Sequence, residues 1–464
     1  MGPLFPAAFA SRLLVRLFGS LVGFMVVGCQ QTQVSTNPPP LPVPGRFSSA
    51  NFSQKAAPPP WLRQLNDPAL RPLISEALRH NQNLQTAGAR LRATRESLIT
   101  ARARLLPRVN AGGGYSVSDA RNQATRDSYS LNFSVGWEAD LWGRLRNLQA
   151  ATQANYASQA ADFQGAILSL SANTAQAWYD LVTAEAQLKL AKTTLASYER
   201  ALPAVQRGYE ASTLRAVDLQ FARNNIVNAK RTLAARRLAR GNAARNLEVF
   251  LGRYPSAGLT AGVTLPELSP LPKSGTPASL LERRPDLAAA RADVFRAANQ
   301  AEAARKDLLP SLSLTARASN GQRRFSRFVD PTFLLYTAAA NLSQTVYNGG
   351  ALRAEARAAL ERHRALLHTY AQTALRAFRE VEAALDADES LTEQEQLLSQ
   401  EAAQTTQAET RALRDITLGL PGASFLEYLE AQRRAENARA ALLRLRNTRI
   451  QNRLDLYLAL GGAP

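Results

Sequence analysis

The fold is decided by the stretch Y-S-L-N-F-S-V-G-W-E-A-D-L-W-G-R-L-R at residues 129–146. Its first nine residues alternate between two kinds of side chain: Tyr129, Leu131, Phe133, Val135 and Trp137 on one side, Ser130, Asn132, Ser134 and Gly136 on the other. Because successive side chains of a strand point to opposite faces, one face is apolar and the other is polar. An apolar face of about nine residues with an aromatic residue at each end is typical of a strand that crosses a membrane beside an aqueous lumen.

After Trp137 the period of the pattern changes. Asp140 and Gly143 lead into an alanine-rich segment that favours a helix and meets no proline until Pro203. A helix from about Leu141 to this proline would be roughly 90 Å long at 1.5 Å per residue, which exceeds the thickness of a bilayer. Since many of its residues are polar, we expect it to project into an aqueous compartment.

A second strand of the same kind precedes residue 129. Val109, Ala111, Gly113, Tyr115 and Val117 alternate there with small or polar residues, and a polar loop at residues 119–127 joins the two strands. The pattern therefore predicts a hairpin in which both strands have one apolar and one polar face.

The same order of elements recurs about 200 residues further on, which indicates two structural repeats. The first copy has a helix at residues 84–106, the hairpin, the long helix, a turn at 203–213 and a return helix at 217–250. The second has a helix at 294–309, strands at 312–318 and 334–342 around a basic loop at 320–331, a long helix to 417, a turn at 418–422 and a return helix. A short helix before the first copy is predicted to have Asp67 as its N-cap and Pro68 as its first residue.

Four membrane strands per chain cannot close a barrel, because single-chain barrels begin at about eight strands and open edges are not tolerated in lipid. The barrel must therefore be shared between copies of the chain. The long helices would pack side by side and continue the barrel as a tube. The sequence thus predicts an obligate oligomer, a mixed α/β membrane protein with four strands per chain.

The N-terminus has the pattern of a targeting signal. Arg12 and Arg16 precede an apolar run at residues 17–27, and the sequence V-V-G-C follows at 26–29. Cys29 is the single cysteine of the chain and resembles the lipidated cysteine of a bacterial lipoprotein signal. The predicted organisation is a signal peptide at 1–28, a proline-rich tether at 29–60, a first repeat at 61–255, a connector at 256–277 and a second repeat at 278–464.

The formal charge of +19 raises nucleic acid or an anionic surface as a partner. The arginines are scattered along alanine-rich helices, and the sequence has no zinc-finger spacing and no aromatic RNA-binding motif. We therefore interpret them as solvated helix faces and expect no nucleic-acid partner.

The residues of the chain suggest no catalytic, cofactor or metal site. The three histidines, His80, His363 and His368, do not form a ligand set, because the last two are five residues apart and do not share a helix face. Residues 283–286, Arg-Arg-Pro-Asp, are interpreted as the start of a helix rather than a site, and Glu380 and Glu382 as charges on a helix surface. We expect the protein not to be an enzyme.

Several motifs resemble those of the outer-membrane efflux channels of the TolC/OprM superfamily, in particular its NodT-like lipoprotein branch. These motifs are N-D-P-A-L-R-P-L-I-S-E-A-L-R-H-N at 66–81, D-L-W-G-R-L-R at 140–146, L-G-R-Y-P at 251–255, L-L-E-R-R-P-D-L at 280–287 and E-A-Q-R at 430–433. The resemblance covers about residues 61–462. It implies a homotrimer whose twelve-stranded barrel continues into a long periplasmic α-helical barrel.

The resemblance also implies a function and a set of partners. The protein would be the passive exit duct of a tripartite efflux system that exports small toxic compounds. It would be lipid-anchored in the cell outer membrane, docked to a periplasmic adaptor protein and supplied by an inner-membrane pump of the RND type.

In relatives, the turn after the second long helix lines the periplasmic opening, where charged residues help to hold it closed. Here the turn T-L-G-L-P-G-A-S at 417–424 lacks the usual Arg-Tyr pair, and neither Ala423 nor Ser424 supplies an acidic residue. Arg411, Arg414 and Asp415 lie nearby and could take this role. In the first turn, Ser212 stands where glycine is expected, so that turn could differ as well.

The sequence leaves two other interpretations open. The same fold could be the outer-membrane component of a type I protein secretion system, although the lipoprotein signal and the motif at 280–287 favour efflux. The chain could instead be a periplasmic coiled-coil scaffold without strands, held to anionic envelope polymers by its positive charge.

The hairpin loops are expected to carry a basic outer rim that contacts anionic lipid headgroups. The residues assigned to it are Arg121, Arg126, Arg323, Arg324 and Arg327. On the strands themselves, Leu131 is assigned to the lipid face and Asn132 to the lumen face.

Overall fold

The computed structural model describes residues 65, 67–119, 125–271, 277–323, 327, 330, 332, 334–418, 420 and 424–462. The predicted signal peptide, Cys29 and the tether lie outside these residues, as do Arg121, Arg324 and Ala423.

The described residues form eight helices and four strands. In chain order these are α1 (Leu70–His80), α2 (Gln82–Ala103), β1 (Arg108–Ser118), β2 (Arg126–Ala139), α3 (Arg144–Glu210), α4 (Ala216–Phe250), α5 (Pro277–Arg283), α6 (Pro285–Lys306), β3 (Ser311–Gln322), β4 (Leu335–Ser343), α7 (Ala351–Thr417) and α8 (Phe425–Ala459).

Equivalent helices of the two halves have equal lengths. The helix before each hairpin has 22 residues, the long helix after it has 67 and the return helix has 35. The two repeats predicted from the sequence are therefore present, and they match residue for residue along their helices.

The four strands form one antiparallel sheet in the order β1-β2-β3-β4. Tyr115 pairs with Tyr129, and Phe133 with Ala318. Every residue of the edge strands β1 and β4 is exposed, and their outer edges lack a partner strand within the described chain. This is the open sheet that requires further copies to close it. Strand β3 continues to Gln322, so Asn320 lies in the strand and not in the loop to which the sequence pattern assigned it.

The long helices lie in a row below the sheet. Helix α4 packs on α3, α3 packs on α8, and α8 packs on α7, while α6 packs on α3 and α7. The main core lies where α1, α3, α4 and α8 meet, around Leu70, Tyr179, Leu247 and Tyr457. Among the described residues, no helix combines the length and the apolar character needed to cross a membrane.

Two local predictions were wrong. Helix α3 does not end at Pro203 but continues through it to Glu210. A proline within a helix removes one hydrogen bond, and the packing of Val205 against the neighbouring helices outweighs that loss. Helix α1 begins at Leu70, so Asp67 is not its N-cap; its carboxylate instead accepts a hydrogen bond from the N–H of Ala69 at 2.9 Å.

Each return helix is followed, two residues after its last residue, by a glycine that adopts a left-handed conformation. Gly252 has φ +73° and Gly461 has φ +74°. A Cβ atom at Gly252 would lie 2.5 Å from the carbonyl oxygen of His80, whereas one at Gly461 would lie 3.1 Å from the backbone of Arg283. The first of these contacts leaves no room for a side chain, so the motif L-G-R-Y-P needs its glycine for close packing as well as for φ.

Candidate channel wall and periplasmic tip

The sheet has one apolar and one polar face, as the alternation predicts. Across β2, β3 and β4 the register aligns Phe133 with Ala318 and Tyr336 on one face. One residue further along, Ser134 aligns with Arg317 and so with Thr337 on the other face. The alternation holds over residues 109–117, 129–137, 312–318 and 336–342, so along these segments apolar side chains are available to lipid on one side and polar side chains to a lumen on the other. At the loop end of β3, Asn320 and Gln322 lie on the apolar side.

Aromatic residues mark the two ends of the apolar face. Near the hairpin loop, the rings of Tyr115 and Tyr129 lie 4.9 Å apart. At the opposite end, Trp137 Nε1 donates to the carbonyl oxygen of Leu105 at 3.0 Å, and Trp142 Nε1 donates to that of Pro310 at 2.7 Å. Amphipathic rings at both limits of an apolar band are the arrangement found where a barrel meets two membrane surfaces.

In the first repeat, a carboxylate fixes the change from strand to helix. Asp140 accepts hydrogen bonds from the N–H groups of Leu145 and Arg146 at 2.9 and 3.0 Å, and from Arg146 Nε at 3.1 Å. Burial alone would raise the pKa of Asp140, but these donors outweigh it and hold the pKa below its usual value. Asp140 therefore caps α3 as an anion and binds the strand end to the helix start.

The same junction is also held by ion pairs. Arg144 contacts Glu138 at 2.8 Å and Asp307, at the end of α6, at 3.3 Å. The second repeat differs, because the sequence Y-N-G-G-A-L-R replaces D-L-W-G-R-L-R. There Val346 and Tyr347 are each 87% exposed, so in the described chain this junction presents apolar surface instead of an ion-pair network.

The turn between α3 and α4 tolerates serine at the expected glycine position. Ser212 has φ +60°, in the left-handed region. The backbone N–H groups of Thr213 and Leu214 donate to the carbonyl oxygen of Gly208 at 2.8 and 3.0 Å, and Thr213 Oγ1 donates to it as well. These bonds keep the turn geometry although serine is strained there.

Helix α4 starts with a cap that the sequence pattern did not reveal. The carboxylate of Asp218 accepts hydrogen bonds from the backbone N–H and the guanidinium of Arg215. The guanidinium lowers the pKa of Asp218, so this carboxylate stays ionised at the positive end of the helix. The usual signal for such a cap is serine or threonine at the first position, and arginine occupies it here.

The three residues proposed for the aperture lie together at the end of α7. Arg411 and Arg414 are exposed, and Asp415 is partly buried. The backbone carbonyl of Asp415 accepts a hydrogen bond from the N–H of Leu420 at 3.0 Å. Within the described residues, no ion pair joins the Asp415 carboxylate to either arginine, and both guanidinium-bearing side chains are exposed to solvent in the protomer.

The ends of the two helical hairpins, α3 with α4 and α7 with α8, pack against each other. Val205 and Leu219 of the first hairpin contact Phe425 and Tyr428 of the second, and Ile416 packs on this group. The two turns thus form one periplasmic tip rather than two independent ends.

Above the tip lies an ionisable group that the sequence did not disclose. Glu436 on α8 accepts a hydrogen bond from the hydroxyl of Tyr198 on α3 at 3.2 Å. Burial between these helices raises the pKa of Glu436 to about 7. Since Tyr198 and Thr194 beside it come from the other repeat, the environment of this carboxylate depends on tertiary contacts that a local pattern does not encode.

The interpretation of the arginines as solvated was wrong for two of them. Arg453 is 2% exposed and pairs with Asp388 at 3.0 Å. Arg284 is 8% exposed and donates to Asp286 and Glu380, each at 2.7 Å. Glu380 is therefore not a simple surface charge, whereas Arg284 and Pro285 do form the helix start that was predicted.

The described residues contain no cluster of histidine, cysteine or carboxylate side chains that could hold a metal ion. The geometry contains a two-faced open sheet, a capped strand-to-helix junction and a row of helices that is open at both sides. These features define the class of the protein: one sector of an oligomeric membrane channel with a helical extension.

Comparison with known proteins identifies the family. The family model described as "Outer membrane efflux protein" matches residues 73–253 and 276–462, so the chain belongs to that family. It is 30% identical over 433 residues to the pyoverdine export outer membrane protein OpmQ of Pseudomonas aeruginosa, covering 90% of each chain. It is 28% identical over 438 residues to the cation efflux system protein CusC of Escherichia coli K12, covering 91% of this chain and 94% of that protein.

Solved structures agree with this assignment. A crystal structure of CusC has a TM-score of 0.81 at 27% identity and covers 92% of this chain and 98% of that one. The open state of the MtrE outer membrane channel of Neisseria gonorrhoeae has a TM-score of 0.80 at 27% identity, covering 92% and 96%.

These findings confirm most of the predictions from the sequence. The protein is an outer-membrane efflux channel and not an enzyme. It is a homotrimer in which four strands per chain form a twelve-stranded barrel, and it works with a periplasmic adaptor and an inner-membrane RND pump. The scaffold without strands is wrong, because the described chain contains a four-stranded sheet, and protein secretion is not favoured.

Proposed function

We propose that this channel is a passive exit duct for small toxic compounds and that its own wall does not select among them. The support is the polar face of the sheet, on which small side chains such as Ser134, Thr315 and Ser319 lie. Relatives carry names that mention pyoverdine, cations and toluene. One duct architecture that serves such different cargo is consistent with selection by the pump.

Deleting the gene and measuring the accumulation of a panel of chemically unrelated toxic compounds tests this proposal. We expect the accumulation of several classes to rise together, and complementation with the intact chain to reverse it. A rise confined to one compound would contradict an unselective wall.

We also propose that the protein is anchored through a lipid on Cys29 after removal of residues 1–28. The support is the apolar run followed by the only cysteine of the chain. Labelled palmitate should appear on the intact protein and be absent from Cys29→Ser, whose mass should correspond to an uncleaved signal. Equal labelling of both proteins would contradict the assignment.

We further propose that Arg411, Arg414 and Asp415 border the periplasmic aperture. Their support is the exposed position of the two arginines at the end of α7. Replacing all three by alanine should raise the single-channel conductance in planar bilayers. The control is Arg357→Ala, at an exposed position near the other end of α7, which should leave the conductance unchanged. Equal conductance of both variants would remove the three residues from the aperture.

The basic outer rim is proposed to contact anionic lipid headgroups. Of its residues, Arg126 forms the first residue of β2 rather than part of the loop. Replacing Arg121, Arg126, Arg323, Arg324 and Arg327 by glutamine should weaken lipopolysaccharide binding. Unchanged binding would rule the rim out as a lipid contact.

A further inference from the structure

The row of long helices ends in α4 on one side and α7 on the other. Helix α4 contacts α3, α3 contacts α8, and α8 contacts α7. In a trimer whose helices form a closed wall, α7 of each protomer must therefore face α4 of the next. The surfaces that these two helices turn away from their own protomer are the ones that meet at this seam.

On α4, the surface opposite the protomer core is a stripe with heptad spacing. The buried residues that pack toward α3 are Leu219, Ala222, Ile226, Ala229 and Leu233. About 130 to 170° around the helix, at 100° per residue, lies an exposed stripe of Arg231, Leu238, Arg245 and Val249. A helix in a closed wall has neighbours on two opposite sides, and this second stripe has the period and the apolar positions needed to pack on another helix.

The exposed charges of α4 are all positive. Its sequence contains only two acidic residues, Asp218 and Glu248, and both are buried. Asp218 is bound by Arg215, and the carboxylate of Glu248 accepts hydrogen bonds from the N–H groups of Ala257, Gly258 and Leu259. Arg231 and Arg245 of the exposed stripe therefore have no carboxylate of α4 available to neutralise them.

On α7, the corresponding surface is acidic over residues 382–393, and the exposed Arg379 precedes this segment. Val381, Ala384 and Asp388 are buried toward the protomer. About 150° away, again at 100° per residue, the exposed face carries a run of four carboxylates: Glu382, Asp386, Glu389 and Glu393. Their spacing of four, three and four residues places them along one line. Within the described part of the chain, none of the four forms an ion pair.

We propose that the basic stripe of α4 and the acidic stripe of α7 bind each other between neighbouring protomers. The equivalence of the two repeats indicates which residues of the two stripes lie at the same height along the wall. Helices α4 and α8 both have 35 residues, so Arg245 of α4 corresponds to Leu454 of α8. Leu454 follows Arg453, which pairs with Asp388. Because α8 runs antiparallel to α7, Leu454 lies just to the sheet side of the level of Asp388, and Arg245 is thus at the level of α7 between Asp386 and Glu389.

This complementarity also determines how the copies associate. Two α4 stripes repel each other, and so do two α7 stripes, so a symmetric pair of protomers through either surface is disfavoured. Only the head-to-tail contact of α4 with α7 brings opposite charges together, and a contact of this kind closes into a ring. The seam thus favours the trimeric ring over side products, given the trimer that the family fold establishes.

Cross-linking of the full-length protein in detergent tests the geometry. Arg245→Cys is combined in turn with Asp386→Cys, Glu389→Cys or Glu393→Cys, and a short bismaleimide is added. At least one combination should give covalent dimers and trimers on a denaturing gel. The single-cysteine variants, which retain Cys29, and the pair Arg245→Cys with Glu361→Cys at a distant level of α7 should give none. If trimers are present in solution and no combination cross-links, the proposed seam is wrong.

A charge exchange tests the electrostatics. Arg245→Glu and Glu389→Arg should each lower the trimer-to-monomer ratio about tenfold at moderate salt, and the double variant should restore it, because the attraction is re-formed with reversed polarity. If the trimer-to-monomer ratio of the double variant falls by the product of the two single effects, the proposed pairing is wrong. So would a ratio that does not change in either single variant.

Discussion

Helices α3 and α7 are equivalent members of the two repeats and have the same length of 67 residues, yet they are buried to very different extents. Along its middle third α3 is surrounded by neighbours, and residues such as Ala172, Tyr179 and Leu181 have no exposed surface. Helix α7 buries only six residues, which are Ala359, Ala377, Val381, Ala384, Asp388 and Ala402. The difference shows that position in the row decides burial: α3 lies inside the protomer, whereas α7 lies at its edge.

The largest expected effect lies at the one buried charge of α7. Asp388→Ala would leave the guanidinium of Arg453 buried without its counter-charge, so we expect a loss of about 3 to 5 kcal/mol in the free energy of unfolding. Glu389→Ala changes the adjacent, exposed carboxylate and should alter protomer unfolding by less than about 0.5 kcal/mol, while weakening the trimer. Chemical denaturation followed by circular dichroism measures the first effect. Equal losses in both variants would break the contrast between the inner and outer faces of α7.

The second test compares the apolar and the polar face of the sheet. Leu131→Arg places a charge on the apolar face, where it meets lipid. We expect it to lower the stability of the assembled barrel by about 2 to 4 kcal/mol. Arg at Asn132, on the polar face, should leave assembly intact and change the conductance. Heat-modifiable migration of the trimer reports the first effect, and planar-bilayer recording reports the second. Similar assembly defects in both variants would contradict the assigned faces.

A third test compares the ends of the two return helices. Gly252→Ala should cost about 2 kcal/mol, because the left-handed φ is strained and the new Cβ meets the carbonyl oxygen of His80. Gly461→Ala has the same φ but more room, so we expect about 1 kcal/mol. Thermal unfolding of the two variants side by side gives the order. A larger loss at Gly461 would mean that the close contact near His80 is not what distinguishes the two ends.

The smallest effect concerns the contact of α3 with α8. The pKa of Glu436 is about 7 in the folded protein and 4.5 in an unfolded chain, so the folded state holds a proton that the unfolded state releases between these values. The resulting stabilisation is complete below pH 4.5 and is lost as the pH rises through about 7.

Because Glu436 is only partly buried, we expect the intact protein to lose about 1 to 2 kcal/mol more than Glu436→Gln between pH 5 and pH 8. Thermal midpoints at both pH values measure this difference. Identical pH dependence of the two proteins would remove Glu436 as its source.

Periodic features were predictable from the sequence because they are local. The alternation around Phe133 defined the membrane strands, and the recurrence of helix, hairpin and helix defined the repeats. Those signals depend only on which side chains share a face.

Features that rest on distant contacts were not predictable. Pro203 was assigned to a turn because proline disfavours helices, but packing of the neighbouring Val205 overrides that preference. Arg453 was assigned to a solvated face, since no local pattern shows that Asp388, 65 residues away, and the carbonyl of Ser269 would enclose it. At the tip, the sequence located Arg411 and Arg414 at the end of α7, but not the capped turn around Asp218.

The equal lengths of the paired helices have a consequence for how such a protein can change over time. If α3 gained two turns while α7 did not, one hairpin would extend past its neighbour and the shared contact around Phe425 would be lost. A relative with longer or shorter helices must therefore differ in the length of all four long helices together. The change in length should be a multiple of seven residues, so that the same side chains still face each neighbouring helix. Insertions and deletions in these helices should accordingly be found as matched sets in the two halves of the gene.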